Sequence, residues 1–116
     1  MYTYRAKLSQ SNSQPIYDGD TLRLVADLGF GILAELGPCR LFGIDAPEMR
    51  GEESDLGVLA RDWLREMIPT ETWFTIKTYK DRKGKYGRYL AWIELDDGTI
   101  INDAIVGAGH AVYRTY

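Results

Sequence analysis

Apolar and polar residues alternate along the first stretch of the chain, where Tyr2, Tyr4, Ala6 and Leu8 interleave with Thr3, Arg5, Lys7 and Ser9. A period of two predicts a strand with one face buried. Ser9 to Pro15 is polar and predicts a loop. Thr21 to Ala26 and Phe30 to Leu36 predict two more strands, with Asp27-Leu28-Gly29 as the hairpin turn between them. Gly37-Pro38 interrupts the pattern, and Arg40 to Ile44 reads as a further strand. Thr72 to Tyr79 and Arg88 to Leu95 are rich in aromatic and β-branched residues, which pack well on a pleated surface. Asp96-Asp97-Gly98 predicts a tight turn before a short extended run from Thr99 to Ile101.

Helical periodicity appears clearly once. Leu56, Leu59, Ala60, Trp63, Leu64 and Met67 recur at three- and four-residue spacing, with Arg61, Asp62, Arg65 and Glu66 on the other face. Ser54 is the expected N-cap and Pro69 the stop. A shorter helix is predicted from Asn102 or Asp103 to Ala108, capped by Asn102 and ended by Gly109. Five or so strands with one amphipathic helix after the third predict a mainly β fold. The expected architecture is a five-stranded OB-fold barrel with one main helix across its base and a short second helix. At 116 residues the chain is expected to form one domain, 1–116.

Composition alters this picture little, since 45% hydrophobic and 27% charged residues are ordinary for a folded soluble chain. Cys39 stands alone, so no internal disulfide can form and a buried, hydrophobe-like role is expected. The first residues contain no long apolar run that would mark a signal peptide, and no segment is apolar for long enough to span a bilayer. A cytoplasmic location without membrane contact is the expectation. A net charge of −3 argues mildly against a general nucleic-acid binder. The distribution is more informative. Lys80 to Arg88 holds five bases with only Asp81 as an acid, and Asp45 to Asp55 holds five acids with only Arg50 as a base. Each run could be a solvated loop. If the two meet, one cleft could offer acids to a metal and bases to a phosphate.

Three short segments carry the candidate chemistry: Asp18-Gly19-Asp20-Thr21, Arg40 through Glu48, and Lys85-Tyr86-Gly87-Arg88. Together they supply carboxylates for a hard cation, two arginines suited to a phosphate, and a further carboxylate for proton transfer. That set is what metal-assisted cleavage of a phosphodiester requires. Each piece has a plainer role too. Asp-Gly-Asp often forms turns, and a lone strand arginine is usually a surface charge. Arg40 and Asp45 have opposite strand parity, so a bulge or strand end near Gly43 must intervene if both serve one site. His110 beside Gly109 suits a structural or exposed role, and Tyr113 and Tyr116 could either stack on a base or pack against the protein.

In this order, and with a helix between the second and third, the segments resemble staphylococcal (thermo)nuclease. The resemblance spans roughly Tyr17 to Tyr113. It implies that Asp20 and Asp45 hold calcium together with the backbone carbonyl of Ala46. It further implies that Arg40 and Arg88 clamp phosphate, that Glu48 lies near the attacking water, and that Lys85 and Tyr86 touch a neighbouring phosphate. Single-stranded DNA, RNA and duplex DNA are the implied substrates, cut with little sequence preference to leave 3′-phosphates. Many relatives carry Thr where this chain has Ala46. The Asp27 to Gly31 stretch resembles a subgroup with an extended first hairpin, met in phage-borne relatives. The best-known members continue into a third helix, and its lack here implies exposed barrel surface and weak self-association. The alternatives are a non-catalytic nucleic-acid- or peptide-binding module on the same fold, or an assembly component.

Overall fold

The alternation in the first strand decides how the sheet closes. Strand β1 (Tyr2–Leu8) pairs antiparallel with β6 (Phe74–Lys80) through its first half and with β3 (Thr21–Asp27) through its second. The computed structural model describes residues 2–11, 13–80 and 88–115, so Lys85 and Tyr86 lie outside the described residues. The remaining elements are β2 (Ile16–Asp18), β4 (Leu33–Leu41), β5 (Ile44–Asp45), helix α1 (Ser54–Met67), β7 (Tyr89–Glu94), helix α2 (Ile101–Gly107) and β8 (Val112–Tyr113). The main sheet runs β1-β6-β7-β4-β3-β2, and the β1–β3 pairing joins five of these strands into a ring. This is the expected OB-like barrel, with α1 following the third barrel strand and a short α2 near the end. Strand β2 extends the sheet beyond β3, and β5 pairs only with β8.

Inward-facing residues fill the barrel. Leu8, Leu22, Leu24, Phe74, Ile76 and Ile93 are fully buried, joined by Leu64 from α1 and by Ile101 and Ile105 from α2. Each such side chain contributes roughly 1.5–3 kcal/mol on leaving water. Cys39 lies among them as expected, and burial pushes its thiol up to about 12. Asp96-Asp97-Gly98 forms the expected turn, closed by Gly98 N–H to Leu95 O at 2.9 Å. No helix among the described residues is long and apolar enough to cross a membrane.

Five local expectations are corrected. Phe30 does not begin a strand: with Gly29 and Gly31 it forms a hairpin tip of three consecutive positive φ angles (84°, 57° and 73°), and its ring is fully exposed. Strand β4 starts only at Leu33, but it then runs unbroken through Gly37-Pro38 to Leu41. A one-residue bulge allows this, because Leu24 faces Gly37 while Val25 faces Glu35 and Leu36 is left over. Helix α1 buries Gly57, Ala60 and Leu64, whereas Leu56 and Leu59 are exposed. Ser54 is already helical (φ −58°, ψ −40°) after a 3₁₀ turn at Gly51–Glu53, so it does not cap the helix. Thr99 to Ile101 forms no strand beyond an isolated bridge from Glu94 to Ile100, and α2 begins at Ile101.

Asn102 is likewise no cap. It is a buried bracket: its Oδ1 accepts the Ile93 N–H at 2.9 Å, and its Nδ2 donates to Phe42 O at 2.9 Å and Ala91 O at 3.0 Å. A buried amide needs such partners, and here they tie α2 to β7 and to the turn after β4.

Candidate active site

Two tight turns place the acids. Between β2 and β3, Asp18 Oδ1 accepts the Asp20 backbone N–H at 3.0 Å, an Asx-type turn that points both carboxylates to one side. Thr21 then starts β3 directly opposite Arg40 on β4, and Leu41 N–H bonds to Asp20 O at 2.8 Å. After β4, Phe42-Gly43 turns the chain with Gly43 at φ 80°, and β5 delivers Asp45. The parity conflict between Arg40 and Asp45 is resolved by this strand end. The Asn102 bracket fastens the turn at Phe42 O.

Helix α1 sets how close the two acid-bearing segments come. A Cβ on Gly19 would stand 2.7 Å from the Cβ atoms of both Ala46 and Ala60. A Cβ on Gly57 would stand 2.3 Å from the carbonyl oxygen of Glu48. The loop of Asp18 and Asp20 therefore seats on Ala60 and the Glu48 backbone on Gly57 of one helix, while Ala46 packs against the same loop at Gly19.

Arg40 is central to the electrostatics. Its Nη2 lies 3.5 Å from Asp20 Oδ2, donates to Ile44 O at 3.4 Å, and forms an ion pair with Asp45 Oδ1. Asp20 Oδ2 also accepts the Ala46 N–H at 3.0 Å. Arg40 and Asp20 side chains are each only 14% exposed, so their attraction is weakly screened. Burial, and then Asp20 beside it, pushes the Asp18 carboxyl up to about 6.

These groups line one open cavity of about 740 Å³. Asp18, Asp20, Arg40, Asp45, Glu48 and Arg88 all face it, as does Ala46. Tyr113 does not. Its hydroxyl donates to Asp103 Oδ1 at 2.9 Å, and it stays out of the cavity lining. Sequence reasoning also missed contributors. Arg114 enters the cavity with its Nη1 3.4 Å from Asp45 Oδ1, and Tyr17 and His110 complete part of the wall. His110 is half-buried, with its ring 6.1 Å from that of Trp63. Strand alternation places Arg114: in β8 and just beyond, Val112 and Arg114 share a side that Tyr113 does not.

Residues 38–116, more than half of the chain, match the family described as staphylococcal nuclease homologue. The chain belongs to this family. Domains of the family are typically nucleases, hydrolases that act on nucleic acids, and they are generally calcium-dependent. No curated protein matches the chain. The family match takes in Arg40, Asp45, Glu48 and Arg88 but begins after the Asp18 to Thr21 turn. Tertiary pairing of β3 with β4 supplies that turn to the family segment.

The donor set suits calcium in one respect and limits it in another. Asp20 and Asp45 reach the same guanidinium nitrogen, so hard oxygens already converge on one positive charge. Among the described residues, no three His, Cys, Asp or Glu side chains form a metal-binding group. Two carboxylates alone would leave most of the six to eight oxygen positions that calcium prefers to other donors.

Proposed function

We propose that this family member is a calcium-dependent phosphodiesterase that hydrolyses single-stranded DNA and RNA, and duplex DNA more slowly, leaving 3′-phosphates. One observation carries the reading: two carboxylates converge on Arg40 in an open cavity that Glu48 and Arg88 also face. Asp20, Asp45 and the Ala46 carbonyl would hold the cation. When bound, calcium supplies positive charge to a non-bridging phosphate oxygen and to a water. Arg40 and Arg88 offer planar, permanently charged forks to the phosphate oxygens. Their grip tightens as negative charge grows on the five-coordinate phosphorus, which lowers the barrier rather than only binding substrate. Glu48 orients the water or takes its proton as the water oxygen bonds to phosphorus. The bond to the 5′ oxygen then breaks, that oxygen takes a proton from solvent in the open cavity, and the phosphate stays on the 3′ side. Lys85 and Tyr86 enter this reading as contacts to a neighbouring phosphate.

The test is incubation with single-stranded DNA in calcium or in EDTA, followed by end-group analysis. Cleavage in calcium alone, with 3′-phosphate ends, is expected. Binding that persists in chelator with no cleavage under either condition would favour the non-catalytic module instead.

A further inference from the structure

We propose that Arg114 is a third phosphate-gripping guanidinium of this cleft; the inference rests on the nuclease reading of the site. The β5–β8 ladder sets its position. Ile44 pairs with Tyr113 and Asp45 with Val112, and the Arg114 N–H continues the pattern by bonding to Gly43 O at 2.8 Å. Alternation turns Tyr113 away and aims Val112 and Arg114 into the cavity. The side chain is then anchored at one end. Its Nη1 meets Asp45 Oδ1, the same oxygen that pairs with Arg40.

Exposure separates the two arginines. Arg40 is 14% exposed and enclosed by acids, whereas Arg114 is 42% exposed at the cavity mouth. Charge balance argues the same way. Among the described lining residues, Asp18, Asp20, Asp45 and Glu48 oppose Arg40, Arg88 and Arg114, which leaves one net negative charge with His110 neutral. A divalent cation would turn this into one net positive charge. Without Arg114 the same sum would be zero, so the described lining would add no net attraction for a polyanion. Arg114 thus tips the described lining of the loaded cleft toward nucleic acid.

Binding of a fluorescein-labelled single-stranded oligothymidylate tests this, measured by anisotropy in calcium over a range of salt. The parent is Glu48→Gln, which slows turnover, compared with Glu48→Gln/Arg114→Gln and Glu48→Gln/Arg114→Lys. The Gln double variant should bind about tenfold more weakly, the scale of one charge-assisted contact. Its salt dependence should flatten by about 0.7 in log–log slope, the loss of one single-strand phosphate contact. The Lys variant should keep most of the slope. Unchanged affinity and slope in the Gln variant would overturn the inference alone. So would a change confined to calcium affinity, measured calorimetrically without nucleic acid, because Arg114 would then serve only to hold Asp45. No binding by the parent would overturn the nuclease reading itself.

Discussion

At the scale of single residues, the cleft works by sharing charge. Asp45 Oδ1 meets both Arg40 and Arg114, and Asp20 meets Arg40 while lying beside Asp18. This arrangement spreads the attraction over four side chains instead of collapsing it into a single closed pair. Arg88 and Glu48 face the cavity from other segments. If both act mainly in the transition state, Arg88→Ala and Glu48→Gln should each lower kcat by about 10²–10⁴-fold while the thermal unfolding midpoint stays near that of the parent. Steady-state kinetics with melting curves would check this, and parental turnover in either variant would remove that residue from the mechanism. Asp20, Arg40, Asp45 and Glu48 were legible as candidates because their residue types suit phosphodiester chemistry and the order of their segments resembles staphylococcal nuclease. Arg114 was not, because its place depends on a ladder between β5 and β8 whose strands are two residues each. Such strands leave too short an alternation to read.

At the scale of elements, α1 is the gauge of the site. Its periodicity was plain in the sequence, but its buried line was not: Gly57 and Ala60 face the acid-bearing segments while Leu56 and Leu59 face solvent. Hydrophobicity cannot mark a glycine as buried, so the predicted face came out rotated toward the leucines. Gly57→Ala separates fit from helix stability. Alanine favours a helix over glycine by about 0.8–1 kcal/mol, yet a Cβ there would meet the Glu48 carbonyl at 2.3 Å. Something must shift, and the Glu48 backbone is what lies in the way. We expect kcat to fall at least about tenfold, a misplacement cost well within the range for a displaced catalytic group, while circular dichroism retains the helix. Full activity in Gly57→Ala would show that the Glu48 position is not set by this contact. The β3–β4 hairpin teaches a related lesson. Gly37-Pro38 looked like a strand break, and a bulge instead carried β4 through it to Arg40.

At the scale of the whole molecule, the barrel closes through β1–β3 and leaves apolar surface at its extremities. Leu28, Phe30, Ile32 and Leu33 are exposed around the β3–β4 hairpin, as are Leu56 and Leu59 on α1. Weak self-association is proposed on that ground. Sedimentation velocity should show a coefficient that rises with protein concentration, and Phe30→Ser should reduce the rise; a constant coefficient for the parent would count against association. By itself the sequence determined the mainly β class, the main helix, the tight turn at Asp96-Asp97-Gly98 and the residue types of the chemistry. Periodicity, turn propensity and charge are local properties that survive in one dimension. Only the tertiary structure decided that the turn of Asp20 lies across from Arg40, that Asn102 ties β7 to the turn after β4, and that Arg114 rather than Tyr113 faces the cleft. Those outcomes follow from register, bulges and close backbone approach between residues far apart along the chain, where no local pattern can act.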